Sequence, residues 1–176
     1  MAWPLPGHEQ PIPIPPEPGS YWERRDQGWH HCGVDLYAPQ GSIVVAIQEG
    51  LVISIRRFTS PDERPYWNPT LELLIQRDKE LWRYAELLQA DVKTGMLVAA
   101  GEPVGLVGQV INPRLVTSES PAYIQALVRQ GRTSMLHLEH YNGRPVSTFR
   151  YTGGNWLGPT PPSGLLDPTP FLLRAA

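Results

Sequence analysis

The sequence predicts a mostly β domain of antiparallel sheet with one short inserted helix. Three observations carry this. Twenty prolines and sixteen glycines punctuate the 176 residues, a density that favours short strands and turns over long helices. β-branched and aromatic residues gather in short runs, several with period-two alternation. Between residues 92 and 108, glycines recur at tight intervals among valines and leucines. The length suits one domain with a real core.

Residues 1–26 read as a proline-rich N-terminal arm and 27–176 as the domain itself. Pro4, Pro6, Pro11, Pro13, Pro15, Pro16 and Pro18 fix φ and give an extended, polyproline-like segment. It either lies along its own domain, the simpler reading, or serves a proline-binding protein partner. With no basic start and no apolar run it is not a secretory signal. The expectation is a cytoplasmic or phage-related protein, or a secreted one already trimmed. Residues 43–47 and 51–56 are β-rich runs on either side of Glu49-Gly50. Residues 71–76 and 81–87 form a hairpin around Arg77-Asp78-Lys79-Glu80. The glycines of 92–108 give very short strands joined by turns that need positive φ. Ser120 is an N-cap with Pro121 at the first helical position; Ile124, Leu127 and Val128 make one apolar face, and Gly131 stops the helix. Residues 135–141 return to alternation: Met135, His137, Glu139 and Tyr141 on one face, Leu136, Leu138 and His140 on the other. Asn142-Gly143 is a strong turn, and the apolar residues of the tail near Phe171 dock on the domain.

Composition removes several functions. The net charge is −2, with no basic stripe interleaved with aromatics, so nucleic acid is excluded as a partner. No apolar run reaches membrane-spanning length. Cys32, the single cysteine, cannot form an internal disulfide and reads as a small core residue.

The chemistry starts in Trp29-His30-His31-Cys32-Gly33-Val34-Asp35. In an extended segment His31, Gly33 and Asp35 share a face, with nothing bulky between the imidazole and the carboxylate. Two readings are open: two ligands of one metal ion, or a buried histidine hydrogen-bonded to a carboxylate. His30 and His140 fall on the opposite faces and read as packing residues. Tyr37, Trp67 and Trp156 are candidates for lining a groove, with core packing the competing reading.

With these pieces in order, the chain resembles the lysostaphin/LytM-type zinc metallopeptidases. The carriers are His31-x-Gly33-x-Asp35, Ala38-Pro39-x-Gly41, Ala46-x-x-x-Gly50-x-Val52, the glycine run of 92–108 and Asp167-Pro168. The resemblance implies a lysostaphin-like antiparallel β-sheet sandwich of the duplicated hybrid-motif type, a Zn2+ cofactor, and peptidoglycan or another peptide as substrate. It implies His31, Asp35 and His137 as metal ligands. Two family motifs are altered. Tyr-x-His-Leu corresponds to Tyr84-Ala85-Glu86-Leu87, and His-Leu-His-Phe-Glu to Met135-Leu136-His137-Leu138-Glu139. By this correspondence both catalytic histidines are replaced, and Tyr84, Met135 and Glu139 flank the centre or its groove.

Two imidazoles and one carboxylate suit zinc and leave a fourth position for water or substrate. A proton carrier is still required. Glu86 is the candidate catalytic residue, and three roles are open for it: substitute base, fourth ligand, or solvated carboxylate in a silent cleft. Glu139 is either a partner that orients a ligand or a member of a cross-strand ion pair. The function is therefore a zinc peptidase with altered chemistry, or a catalytically inactive zinc-binding domain with a binding or assembly role.

Overall fold

The computed structural model describes residues 1–175. In chain order the elements are β1 (Trp29–His31), β2 (Val34–Tyr37), β3 (Ile43–Val45), β4 (Gly50–Arg57), β5 (Leu71–Arg77), β6 (Glu80–Ala90), β7 (Leu97–Val98), β8 (Pro103–Gln109), α1 (Ala122–Arg129), β9 (Ser134–Asn142), β10 (Tyr151–Thr152), β11 (Asn155–Leu157), β12 (Leu165–Leu166) and α2 (Thr169–Ala175). Every named pairing between strands is antiparallel. The architecture is mostly β, as the sequence predicts. A second short helix, α2, adds to the one expected. It forms where Asp167 Oδ1 accepts the Thr169 N–H at 2.8 Å and Leu172 is fully buried in the core.

β9 is the spine. One edge pairs with β2 and then β12, the other with β8 and then β6. β5 and β4 extend the sheet beyond β6, while β1, β10 and β11 form a separate three-stranded sheet. The main core gathers Val34, Leu36, Val44, Leu73, Ile75, Trp82, Leu87, Val107, Leu136 and Leu138. The alternation read from β9 holds: Leu136 and Leu138 face this core, and Met135 and Tyr141 pack on the other side. The hairpin of β5 and β6 also holds, with Arg77 opposite Glu80.

The N-terminal arm is laid along the domain. Ala2 N–H donates to Ile47 O at 2.8 Å and Val45 N–H to Pro4 O at 3.0 Å. Trp3 and Leu5 are buried in the main core, where each large apolar side chain contributes roughly 1.5–3 kcal/mol.

Two local expectations are corrected. Gly105 and Gly108 are not turn residues: they lie inside β8, where an added Cβ would come within 2.4 Å of Gln89 O and 2.5 Å of Glu86 O. Close backbone approach, not positive φ, demands glycine there. The helix begins one residue later than read. Pro121 takes the N-cap position without a side-chain cap, and Ser120 Oγ accepts instead from the Thr117 N–H at 3.0 Å.

Candidate metal centre

β1 and β2 are one extended segment that changes partner at Cys32-Gly33. His31 pairs with Asn155 of β11, and Asp35 lies opposite His137 of β9. The change still leaves both side chains on one side. His31 Nε2 is 3.1 Å from Asp35 Oδ1 and 3.0 Å from His137 Nδ1, and His137 Nδ1 is 2.8 Å from Asp35 Oδ1. Gly33 makes this possible. A Cβ there would sit 2.2 Å from Leu138 O and 2.9 Å from His137 Cε1, so any other residue would push β2 off β9.

The three residues fit one metal ion. All are buried, and their ligand atoms lie within 4.8 Å of one another. A tetrahedral edge for bonds of about 2.0–2.1 Å is about 3.3 Å, so the set needs to open by only a few tenths of an ångström. Both readings of the His31–Asp35 pair are thus compatible with this geometry: the residues hydrogen-bond as they stand and are placed as ligands. Burial alone would lower His137, but Asp35 and Glu139, as hydrogen-bond partners and as charges, raise it to about 10. Burial works to raise the Asp35 carboxyl, and the two histidines outweigh it and hold it well below the usual carboxylate range. A cation held by His31, Asp35 and His137 would take the place of that imidazole proton in balancing the carboxylates.

Behind His137 stands a buried polar network. His137 Nε2 is 2.9 Å from Glu139 Oε1, which also accepts from the Tyr151 hydroxyl at 2.7 Å. Glu139 Oε2 accepts from the Tyr141 hydroxyl at 2.6 Å and pairs with Arg83. Arg83 Nε in turn pairs with Glu72 Oε2 at 2.9 Å. Glu139 is thus hydrogen-bonded to His137 and ion-paired across the strands with Arg83. With its Nε2 engaged, His137 presents Nδ1 to Asp35 and His31. Arg83 was missed in the sequence, although a charged residue inside the apolar run Leu81–Leu88 was a usable signal.

Glu86 reaches this centre through a defect in β6. The strand pairs with β9 up to Ala85, opposite His137, and with β8 from Leu87 onward. At the switch the register against β5 slips, and Glu86 takes φ +63°. Regular alternation would have put Glu86 on the core face with Tyr84. The left-handed residue instead re-aims it, so that Glu86 lines the same small pocket as His31, Asp35, Met135 and His137. A non-glycine residue in this conformation is a strained feature that clusters at functional sites. The Glu86 carboxylate is buried, its Oε2 has no hydrogen-bond partner, and burial, helped by the charge of Asp35, pushes it up to about 8. Tyr84 is corrected: it is not beside the groove but in the core, its hydroxyl accepting the Ile47 N–H at 2.8 Å.

The pocket measures about 30 Å³, room enough for a water molecule. It adjoins a groove of about 610 Å³, and Arg25, Trp67, Tyr123 and Asn155 line both. Gly154, at φ +77°, covers His137 so closely that a Cβ would lie 2.6 Å from the ring. Trp67 is the one groove candidate that lines it. Tyr37 donates from its hydroxyl to Pro18 O at 3.1 Å, and Trp156 packs on the cluster of Cys32, Leu74, Leu81, Tyr141 and Leu165. His30 stacks on Trp22 at 4.6 Å and His140 on Trp82 at 4.4 Å, both away from the centre. Arg25, Asn155 and the double glycine carried no sequence signal.

A curled antiparallel domain whose strands bring two imidazoles and a carboxylate to one point, with a groove leading in, has the make-up of a metallopeptidase. The chain belongs to peptidase family M23, whose model matches residues 29–147. Among solved structures it is similar to the antimicrobial peptidase lysostaphin of Staphylococcus simulans, at 20% identity over 96% of this chain and 52% of that one, with a TM-score of 0.55. It is also similar to a zinc containing peptidase of Vibrio cholerae, at 23% identity over 78% of this chain and 35% of that one, TM-score 0.51. Against the lysostaphin catalytic domain alone the identity is 21%, over 88% of this chain and 87% of that one, TM-score 0.50. The chain thus spans about half the length of lysostaphin and about a third of the Vibrio protein. Among curated proteins no sequence matches. Among the described residues no helix is long and apolar enough to cross a membrane.

Proposed function

We propose that this chain is a zinc peptidase acting on the cross-link peptides of peptidoglycan. In this reading His31, Asp35 and His137 hold the ion, and Glu86 replaces a catalytic histidine of the family. One observation carries the proposal: a buried carboxylate with an unpartnered oxygen is turned, at the cost of a left-handed residue, into the pocket of the His-Asp-His cluster. A solvated bystander would need neither the bulge nor the burial.

Bound zinc would polarise the scissile carbonyl and acidify water. Glu86 takes the proton from the attacking water and returns it to the leaving amine. Met135 handles no proton, and losing one donor to the developing negative charge typically costs about 2.7–4 kcal/mol of barrier, so slow turnover is expected. The second reading, a silent zinc-binding domain with a binding or assembly role, draws on the small pocket and on Gly154 packed over His137.

The test is incubation of the zinc-loaded protein with purified peptidoglycan and with glycine- and alanine-rich peptides across about pH 5–9, the range in which such carriers titrate. Cleavage that disappears in Glu86→Gln, with zinc retained, is the expected result. No cleavage by the unaltered protein decides for the silent domain, and full activity of the variant removes Glu86 as the base.

A further inference from the structure

The inner end of the groove holds a positive charge beside the His-Asp-His cluster that is not itself a ligand candidate. Arg25 comes from the N-terminal arm, before the residues matched by the family model. Its side chain is 7% exposed. The guanidinium carbon lies 4.1 Å from the centre of the Tyr123 ring. Nη2 faces Glu23 at 3.4 Å and Asp35 Oδ2 at 3.8 Å, and Nε has no hydrogen-bond partner. Arg25 also lines both the groove and the pocket of Glu86 and the His-Asp-His cluster. A buried guanidinium has five donors to satisfy, and this one leaves Nε without a partner while its side chain lines both groove and pocket.

We propose that Arg25 binds the carbonyl oxygen of the scissile peptide as negative charge builds on it, supplying from the arm what Met135 cannot. The inference rests on the peptidase reading above. In the step it serves, the water oxygen bonds to the carbonyl carbon and one water proton goes to Glu86. The carbon–nitrogen bond then breaks, the leaving nitrogen takes that proton, and an acid and an amine result. Arg25 keeps its protons throughout and contributes charge and donors alone. Lysine cannot reproduce this, because the guanidinium fork is fixed and an ammonium is a point charge. The aromatic face of Tyr123 and the pair with Glu23 hold the guanidinium in place before substrate arrives.

The test uses the zinc-loaded full chain and a peptide whose scissile amide is replaced by a phosphinate, a stable tetrahedral anion. Calorimetry measures its binding to the unaltered protein, to Arg25→Met and to Arg25→Lys, beside zinc content and thermal midpoint. Expected is binding about 100-fold weaker in Arg25→Met, the scale of a lost oxyanion donor, with zinc content unchanged. Arg25→Lys falls between, and it carries the test alone if the methionine variant does not fold. On cleavable peptides the loss should fall on kcat and not on KM, which a mere anchor of the arm would not produce. Equal phosphinate binding by variant and unaltered protein, or no binding by the unaltered protein, overturns the inference. If the unaltered protein binds the phosphinate through Arg25 yet cleaves nothing, the peptidase reading fails while the anion-binding role of Arg25 stands.

Discussion

Replacing Arg83 by methionine should cost more stability than any exposed arginine in the chain. The residue is 1% exposed, and it pairs with Glu139, itself 0% exposed, and with Glu72 at 5%. Breaking a buried pair by removing one partner typically costs about 3–5 kcal/mol, because the other charge stays behind. Here the lower end applies. Glu139 keeps His137 and the hydroxyls of Tyr141 and Tyr151, and Glu72 keeps Arg56 at 2.8 Å. At about 2–4 °C per kcal/mol for a chain of this size, a loss of about 3 kcal/mol lowers the melting temperature by roughly 6–12 °C. Scanning calorimetry of the metal-free protein at neutral pH measures it. The double variant with Glu139→Gln should lose less than the two single losses added, since the gap left by either change is the same broken pair. A single-variant loss under about 1 kcal/mol, within the range of exposed ion pairs, would refute the claim that this pair is held away from water.

Gly154→Ala meets both a backbone at φ +77° and the His137 ring at 2.6 Å, so zinc affinity should fall by about 10–100-fold, as when a ligand loses its support. Chelator competition reads it. Gly95→Ala, at φ +91° with open space around it, pays the backbone strain without touching the metal and is the control; equal affinities in both would remove the steric argument. His140, boxed between Trp82 and Phe171, is lowered below its ordinary value of 6.5 by burial, with Glu80 opposing. Below that ordinary value the unfolded chain binds the proton and the folded one resists it, so stability is full above pH 6.5 and declines as pH falls towards the folded value. The slope stays below about 1.4 kcal/mol per pH unit, the limit for one proton. Urea midpoints of the unaltered protein and His140→Phe should converge or cross below that pH; parallel curves would show that this ring does not titrate on unfolding.

Much of the fold was legible in the sequence because its cause is local. Period-two alternation named the two faces of β9, Asn142-Gly143 marked its end, and Gly131 stopped α1. The misreadings of Gly105 and Gly108 have a different origin. Their requirement comes from β6 crossing close by, and a glycine gives the same letter whether a turn or a neighbouring backbone demands it. The motif places Tyr84 next to Glu86 and so beside the groove, whereas the alternation of β6 sends it to the core.

The sequence by itself determined the strand pattern, the family resemblance and the spacing that lets His31 and Asp35 share a side. Tertiary structure alone decided what surrounds them. The aim of Glu86 depends on β6 changing partners from β9 to β8 at that residue. The positions of Arg25, Arg83 and Gly154 at the centre depend on three distant segments meeting there. The reason is physical: side-chain period follows from one strand's own backbone, whereas a bulge, a buried ion pair and a covering turn exist only once other strands supply the pressure and the partners.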